Sequence, residues 1–164
     1  MIQTKKESEV EPIIRPATLF DFPDLIDLFE ESIMWIPDHV YSVSEKETWV
    51  RKGNDPERWK ESIEQDIFLI AMNEDQMVGF ISLTQKGYLD KLFVHPSFWG
   101  KRVASALLAK LDEHITEWEL DHIRTDASLV ARPFFERKGF TEQYREVVKI
   151  ERESLTRFRM VKFF

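Results

Sequence analysis

Three short strand-like segments, the first of them continuously apolar, are separated by two tight turns and place the strongest limit on how this chain can fold. The segments cover residues 67–72, 77–84 and 88–94, and the turns between them are residues 73–76 and 85–87. Runs of this length joined by tight turns are typical of neighbouring antiparallel strands. The sequence therefore predicts an antiparallel meander in the middle of the chain.

Helical patterns surround the meander. Val103, Leu107, Leu111, Ile115 and Trp118 form one apolar stripe, which predicts a long helix over residues 100–118. The other predicted elements are a strand at 10–15, a helix from 18 that ends at 37, helices at 44–51 and 57–65, a strand at 122–125, a helix ending at 138, and strands at 140–150 and 155–163. This order predicts an α/β (α+β) fold, with a mixed, mostly antiparallel central sheet flanked by helices. Residues 1–9 are expected to be a disordered tail, and residues 10–164 a single domain.

The composition limits the kinds of function. The chain has 23 Lys and Arg against 30 Asp and Glu, a net charge of −7. This charge argues against general nucleic-acid binding, which needs a basic face. The absence of cysteine excludes disulfides and thiol nucleophiles, and the histidines lack the spacing of metal ligands, so no metal is expected. No signal segment and no apolar run of about 18 residues is present, so we expect a cytoplasmic protein with no membrane partner.

The segment from residue 88 to residue 118 carries the strongest chemical signal. A strand that turns directly into a helix leaves unpaired backbone N–H groups at the helix start, where the helix dipole also favours an anion. Gly100 and Ala104 are small enough for a ligand to approach the backbone, and Lys101 and Arg102 add positive charge. The same pattern also suits an ordinary helix start with two solvated basic side chains.

Two motifs in the second half of the chain resemble those of the GNAT N-acetyltransferases. Leu-Phe-Val-His-Pro at 92–96, followed by Trp-Gly-Lys-Arg-Val-Ala at 99–104, resembles the acetyl-CoA-binding motif of that family. Residues 128–140 resemble its second motif, an Asn-x-x-Ala…Phe-Tyr-Glu-Lys-x-Gly-Phe helix. Val-Gly-Phe at 78–80 and Arg-Phe-Arg-Met at 157–160 fit two of its strands. The resemblance runs from residue 10 to the end, and implies a GNAT-like fold and an acetyl-CoA-dependent N-acetyltransferase.

The resemblance also implies where acetyl-CoA binds. The backbone of residues 92–94 would pair with the pantetheine arm as an added strand does, and the amides of 100–104 would hold the pyrophosphate. The thioester would then lie in an opening between the strands that carry Val94 and Thr125. Ser128 and Phe134 would line the far side of the cofactor. The predicted cofactor-binding residues are Leu92, Phe93, Val94, Trp99, Gly100, Lys101, Arg102, Val103, Ala104, Ser105, Ser128 and Phe134.

Three positions depart from the pattern of the family. Trp99 stands where Gln or Arg is usual, Arg102 where Gly is usual, and Phe135 where a Tyr often donates a proton to the leaving sulfur. A helical backbone at Arg102 would tolerate its side chain, which could contact phosphate or crowd the loop. Because a thiol has a pKa of about 8.5, thiolate leaves readily, and the missing hydroxyl at Phe135 is a small objection.

Direct attack by an amine needs a base, since an amine with a lysine-like pKa of about 10.4 is almost entirely protonated at pH 7. Asp90 is the candidate, because an acidic residue is unusual in mid-strand and alternation places it on the face of Tyr88 and Leu92. The alternative is an Asp90 that is exposed or paired with a nearby Lys or Arg. Asp126 is a second candidate, although its place just after a predicted strand is more typical of a turn or a helix cap.

Aromatic residues in the irregular stretch 34–60 are candidates for the acceptor side. Trp35, Tyr41, Trp49 and Trp59 lie there, and an aromatic rim can enclose an amine and attract its cation. Trp35 and Tyr41 are the predicted acceptor-binding residues. The alternative is that these aromatics cover the core or form the contact of a homodimer.

The sequence thus predicts transfer of an acetyl group from acetyl-CoA to a primary amine of a small molecule or peptide by direct attack. A non-catalytic coenzyme A-binding or protein-interaction module that keeps the fold is the alternative, motivated by Phe135 and Arg102. A third interpretation is an unrelated phosphate-binding α/β domain. The missing Gly-x-x-x-x-Gly-Lys-Ser/Thr loop argues against it.

Overall fold

The sheet of the protein has seven strands in the computed structural model, which describes residues 11–164. The strands are β1 (Ile13–Pro16), β2 (Ile67–Asn73), β3 (Gln76–Leu83), β4 (Tyr88–Val94), β5 (His122–Ser128), β6 (Thr141–Ile150) and β7 (Glu153–Phe163). Their order is β1-β2-β3-β4-β5-β7-β6, and each neighbouring pair is antiparallel except β4 and β5. The predicted sheet and its meander, β2 to β4, are confirmed. The predicted tail, residues 1–9, lies outside the described residues.

Five α-helices flank the sheet within the described part of the chain. They are α1 (Phe22–Met34), α2 (Val43–Gly53), α3 (Pro56–Gln65), α4 (Val103–Glu117) and α5 (Arg132–Arg137). Ser42 and Asp55 begin α2 and α3, because their side-chain oxygens accept hydrogen bonds from first-turn amides. α4 begins at Val103 rather than at the predicted Gly100, because Gly100 and Arg102 have left-handed backbone angles that an α-helix does not contain. Within residues 11–164, no helix is both long and apolar enough to cross a membrane.

Apolar side chains cover both faces of the sheet. One core cluster includes Leu107 of α4 and Leu69 of β2. A second cluster includes Trp59 of α3 and Phe68 of β2. Because neighbouring residues of a strand point to opposite faces, Leu69 and Phe68 show that the two clusters lie on opposite sides of the sheet.

Strands β4 and β5 diverge soon after they begin. Within the described residues their register pairs are Tyr88 with Arg124 and Leu89 with Thr125 only. The Thr125 hydroxyl also donates to the Leu89 carbonyl at 2.8 Å, which ties the two strands together at this end. Beyond these pairs the sheet opens into a gap at the C-terminal ends of β4 and β5.

Strand β4 contains a β-bulge at Asp90. The ladder between β3 and β4 shifts register at this point and leaves Asp90 without a partner on β3. Leu89 and Leu92, three residues apart, therefore both pack into the core on the α4 side. The prediction that alternation places Asp90 on one face with Tyr88 and Leu92 is wrong, because the extra residue reverses the alternation.

Candidate active site

A cavity of about 230 Å³ lies at the gap between β4 and β5. Its walls come from both strands, from the β6–β7 hairpin, from α5 and from the region of α2. Five of the predicted site residues line it: Tyr41, Asp90, Leu92, Phe93 and Ser128. Trp35, Val94, Phe134 and the segment 99–105 are not part of its wall. The fold thus gathers residues from distant parts of the chain around the gap.

The free edge of β4 turns backbone groups toward the gap. The backbone N–H of His95 donates to the Val78 carbonyl of β3 at 2.8 Å. Hydrogen bonding alternates along an antiparallel pair, so the N–H and C=O groups of Leu92 and Val94 face away from β3 and into the gap. The indole N–H of Trp99 donates to the Val94 carbonyl at 2.8 Å. The remaining groups could pair with an extended ligand as with an added strand.

The turn before α4 contains two residues with left-handed backbone angles. Gly100 has a φ of 75°, and Arg102 has a φ of 66°. Glycine adopts this conformation freely, whereas an arginine loses about 1–2 kcal/mol. The expectation that Arg102 is helical is therefore wrong. The glycine that the GNAT motif usually carries at this position would adopt the same turn without strain.

The first turn of α4 lies directly on the sheet beside β4. A Cβ atom on Gly79 would lie 3.0 Å from Val103 Cγ1 and 3.1 Å from Leu107 Cδ1, so any larger residue would crowd this close approach. The side chain of Arg102, which precedes the helix, forms no capping hydrogen bond with the first turn. An anion could therefore bind the first-turn amides without displacing a capping side chain.

A buried polar network forms part of the cavity wall. Asp126 accepts a hydrogen bond from the Tyr88 hydroxyl at 2.9 Å, and two from Arg159, at 2.7 Å from Nε and 3.1 Å from Nη2. Only 9% of the Asp126 side chain is exposed. Asp126 lies within β5 and pairs with Arg159 of β7, so the interpretation of this residue as a turn or helix-capping residue is wrong.

The network sets the protonation of both acidic groups. Burial by itself raises the pKa of Asp126, but the hydrogen bonds from Arg159 and Tyr88 outweigh burial and leave that pKa lowered. Burial, together with the neighbouring Asp126 charge, raises the pKa of Tyr88 far above its usual value. Asp126 is thus a weak proton acceptor, and Tyr88 remains a neutral phenol.

Replacing Asp126 with asparagine is expected to lower the free energy of unfolding by about 1.5–3 kcal/mol at pH 7, because charge-assisted hydrogen bonds are lost. A lowered folded-state pKa stabilises the protein above the unfolded pKa, about 3.9, and that stabilisation is lost as the pH falls through the folded value. The difference from wild type should therefore stay constant from pH 7 to about pH 5 and shrink below about pH 4. Urea unfolding at both ends of this range measures it. Asp121→Asn, at a carboxylate 88% exposed, is the control; equal losses for both variants would contradict the network.

Asp90 lies on the wall of the cavity with access to solvent. Its carboxylate forms an ion pair with Lys91, and 38% of its side chain is exposed. The Lys91 ammonium also lies 5.1 Å from the centre of the Trp59 ring. The pairing that was the alternative to catalysis is therefore present, and it leaves the carboxylate where a ligand in the cavity can meet it. The role of Asp90 as a base stays a prediction.

The four aromatic residues of the stretch 34–60 have different environments. Trp35 is 64% exposed and lies away from the cavity wall. Tyr41 is 2% exposed and lines the cavity, with its hydroxyl bonded to two backbone groups. Trp49 also lines the cavity, whereas Trp59 is 1% exposed and belongs to the core. The alternative that aromatics cover the core holds for Tyr41 and Trp59.

The second motif forms the wall on the α5 side. The Ser128 hydroxyl accepts a hydrogen bond from the Ala131 N–H at 3.1 Å and thereby fixes the turn before α5. Phe134 is half-buried and packs edge-on against Phe135, with 5.3 Å between ring centres. Phe135 is buried and lines the cavity. Phe135 therefore brings no proton donor to the gap, and the hydroxyl on this wall is that of Ser128.

Tyr88 and Arg157 are among the cavity-wall residues that were not predicted site residues. Tyr88 begins the strand that carries Asp90, and Arg157 lies in β7. The spacing of the arginines in the sequence could have indicated Arg157. Arg157 and Arg159 are two apart in a strand, which puts both charges on one face.

Comparison with known proteins agrees with this architecture. A family model described as an acetyltransferase (GNAT) domain matches residues 37–162. The uncharacterised N-acetyltransferase YafP of Escherichia coli K12 is 34% identical over 140 residues, which cover 85% of this chain and 88% of that protein. The spermidine N(1)-acetyltransferase of Thermoplasma acidophilum is 27% identical over 109 residues, which cover 61% of this chain and 68% of that protein.

Among solved structures, a GCN5-related N-acetyltransferase from Rhodopseudomonas palustris is similar over nearly the whole chain. The TM-score is 0.88 and the sequence identity 27%, with 96% of this chain and 98% of that chain covered. The similarity includes both the sheet and the helices around the gap.

Proposed function

This chain belongs to the GNAT acetyltransferase family, and from that premise we propose that it acetylates a primary amine of a small molecule or peptide by direct attack. Family membership makes it an acetyl-CoA-dependent N-acetyltransferase. The observation that carries the proposed site is the gap between β4 and β5, which has the free edge of β4 on one side and the cavity on the other. The non-catalytic alternative is not favoured, because the curated relatives are named as enzymes.

In the proposed complex, the pantetheine arm of acetyl-CoA pairs with the edge of β4 at residues 92–94. The pyrophosphate lies on the amides of residues 100–104, where the dipole of α4 favours negative charge. Trp99 would share the Val94 carbonyl with the cofactor, since a carbonyl oxygen has two lone pairs. Ser105 lies in the first turn of α4, and Lys101 adds a positive charge before it.

The proposed reaction has one covalent intermediate. The amine nitrogen attacks the thioester carbon, and Asp90 accepts the proton of that nitrogen, directly or through water. The tetrahedral intermediate then collapses, the carbon–sulfur bond breaks, and coenzyme A leaves as a thiolate. Since a thiol pKa is about 8.5, this step needs little help from an acid, which fits the phenyl ring of Phe135 at the gap.

Acceptor binding, self-association and cellular location are also proposed for this chain. Trp35 and Tyr41 stay proposed acceptor-binding residues, of which Tyr41 lines the cavity. A homodimer through exposed aromatic surface is a further proposal, as is a cytoplasmic location, which the use of acetyl-CoA supports.

The test of this function combines binding and turnover. We expect acetyl-CoA to bind with a dissociation constant below about 100 μM in isothermal titration, and at least one amine to give thiol release. The panel holds amino acids, aminoglycosides, peptides, simple amines and spermidine, the last because one relative carries its name. Absence of both binding and release would overturn the proposal. Binding without release from any amine would favour the non-catalytic alternative instead.

Substituting Gly100 with alanine is expected to weaken acetyl-CoA binding about tenfold, because the new side chain disfavours the left-handed turn by about 1–2 kcal/mol. The new Cβ would meet no atom within 4 Å, so the effect comes from the backbone alone. Gly139→Ala is the matched control, since Gly139 also has a positive φ, of 90°, and lies outside the proposed phosphate site. Isothermal titration should show lost affinity for Gly100→Ala only; equal affinity in both variants would argue against a phosphate site here.

A further inference from the structure

An arginine in the cavity wall indicates which chemical groups the acceptor carries besides its amine. We propose that Arg157 binds a carboxylate of the acceptor, so that the acceptor is an amino acid or a similar small molecule that carries both an amine and a carboxylate. This inference rests on the proposed acetyl transfer and selects small molecules over peptide N-termini. A peptide carries an amide, not a carboxylate, next to its terminal amine.

Arg157 occupies a suitable position for this role. It lies in β7, opposite Ser128 of β5 and Glu146 of β6, where β4 and β5 have already separated. It lines the cavity, and 39% of its side chain is exposed. A ligand that reaches the gap can therefore touch it.

The hydrogen bonds of Arg157 leave donors for a ligand. Its Nε donates to Glu146 at 2.9 Å, and its guanidinium forms no other hydrogen bond within residues 11–164. Arg159, on the same face of β7, instead gives both Nε and Nη2 to Asp126. Arg157 thus retains its two terminal nitrogens, whose fork matches the two oxygens of a carboxylate.

The charges around the cavity fit an acceptor that carries both a positive amine and a negative carboxylate. The two carboxylates of the wall are each paired with a cation, Asp126 with Arg159 and Asp90 with Lys91. Arg157 is itself paired with Glu146 through Nε, and a carboxylate of the acceptor would meet its two terminal nitrogens, which keep donors for a ligand. A polyamine would instead bring a second positive charge against Arg157.

The same contact would orient the acceptor for reaction. Arg157 lies on the β7 side of the cavity, and Asp90 lies on the β4 side. An acceptor anchored by its carboxylate on the first side presents its amine toward the second side, which is also the edge where the thioester is proposed to lie. Such anchoring turns binding energy into alignment of the reacting atoms.

The experiment compares each amino acid with its carboxamide, which keeps the amine and the side chain but replaces the carboxylate. Thiol release gives kcat/KM for both, corrected for the fraction of unprotonated amine. We expect the wild type to prefer the carboxylate form by about 10- to 100-fold, as charge-assisted hydrogen bonds imply.

Variants then assign that preference to one side chain. Arg157→Gln is expected to bring the ratio close to one, and Arg157→Lys, which keeps the charge but loses the fork, to an intermediate value. Arg152→Gln, at an exposed arginine in the β6–β7 turn, is the matched control and should keep the wild-type ratio. Titration with acetyl-CoA shows that each variant is folded and retains its cofactor site.

Three results would overturn the inference: a wild-type ratio of one or below, spermidine acetylated faster than every amino acid, or an Arg157→Gln variant with an unchanged ratio. Each of them leaves acetyl transfer itself intact, because thiol release would still be observed. Failure of the proposed function differs, since then neither acetyl-CoA binding nor thiol release with any amine would occur.

Discussion

Asparagine in place of Asp90 is expected to lower kcat/KM for the acceptor about 10²–10⁴-fold, the range that a positioned base contributes. Asparagine has nearly the size of aspartate but cannot take up a proton from the attacking amine. Acetyl-CoA affinity should not change, because the side chain of Asp90 is not among the proposed cofactor contacts. Thiol release against acceptor concentration measures the rate, and isothermal titration measures the affinity.

A control variant and the pH dependence of the rate test the role of Asp90. Asp112→Asn removes an exposed carboxylate in the middle of α4 and should behave as wild type. Raising the pH should partly restore the Asp90→Asn rate, because more of the amine is then already unprotonated. A wild-type rate for Asp90→Asn at pH 7 would remove Asp90 from the mechanism, while the family assignment would stand.

Truncation of Trp59 to alanine is expected to lower the free energy of unfolding by about 3–5 kcal/mol. Trp59 is 1% exposed and packs edge-on against Phe29 and Phe80. Its indole N–H donates to the Gly53 carbonyl at 2.7 Å. Alanine leaves a cavity between α1, α3 and the sheet, and it deprives that carbonyl of its donor. In a chain of this size, each kcal/mol corresponds to about 2–4 °C in melting temperature.

Trp35 provides the matched comparison for Trp59. Its side chain is 64% exposed, so Trp35→Ala should change the free energy of unfolding by less than about 0.5 kcal/mol. Urea and thermal unfolding of the two variants measure the difference. Similar losses for both, or none for Trp59→Ala, would contradict the packing of α3 against the sheet.

The meander is the part of the fold that the sequence predicts best. β4 has the predicted bounds, β2 is one residue longer than predicted, and β3 begins and ends one residue earlier than predicted. Both turns are short, so the hydrogen bonds between these strands join residues that are close in sequence. Local pattern and tertiary structure therefore agree here.

Backbone details that depend on neighbouring elements escape a local reading of the sequence. The bulge at Asp90 arises from the register of β4 against β3, and a run of apolar residues does not encode a register shift. The left-handed angle of Arg102 is likewise invisible, because arginine rarely adopts it. Here the motif held the missing information, since the glycine usual at this position points to that angle.

The candidate site also has parts that can be predicted from local sequence and parts that cannot. The strand–turn–helix segment is recognisable because it is continuous in sequence. The network of Tyr88, Asp126 and Arg159 is not, because its hydrogen-bonded pairs are 38 and 33 residues apart and meet only when β4, β5 and β7 are assembled. The acceptor side is the hardest part to predict, because the sequence does not distinguish Trp35 from Trp59, although the first is exposed and the second is buried.

The division of the sheet has a consequence for synthesis of the chain. The four strands β1 to β4 lie within residues 13–94, and β5 to β7 within residues 122–163, so the two halves are made one after the other. The backbone ladders among β1 to β4 lie within the first segment alone, whereas the outer edge of β4 meets its partner only in β5. A partly synthesised chain can thus form the four-stranded part of the sheet without the gap, because the gap lies between β4 and β5. Acetyl transfer at the proposed site therefore needs β5 as well as the first four strands, however well those strands have folded.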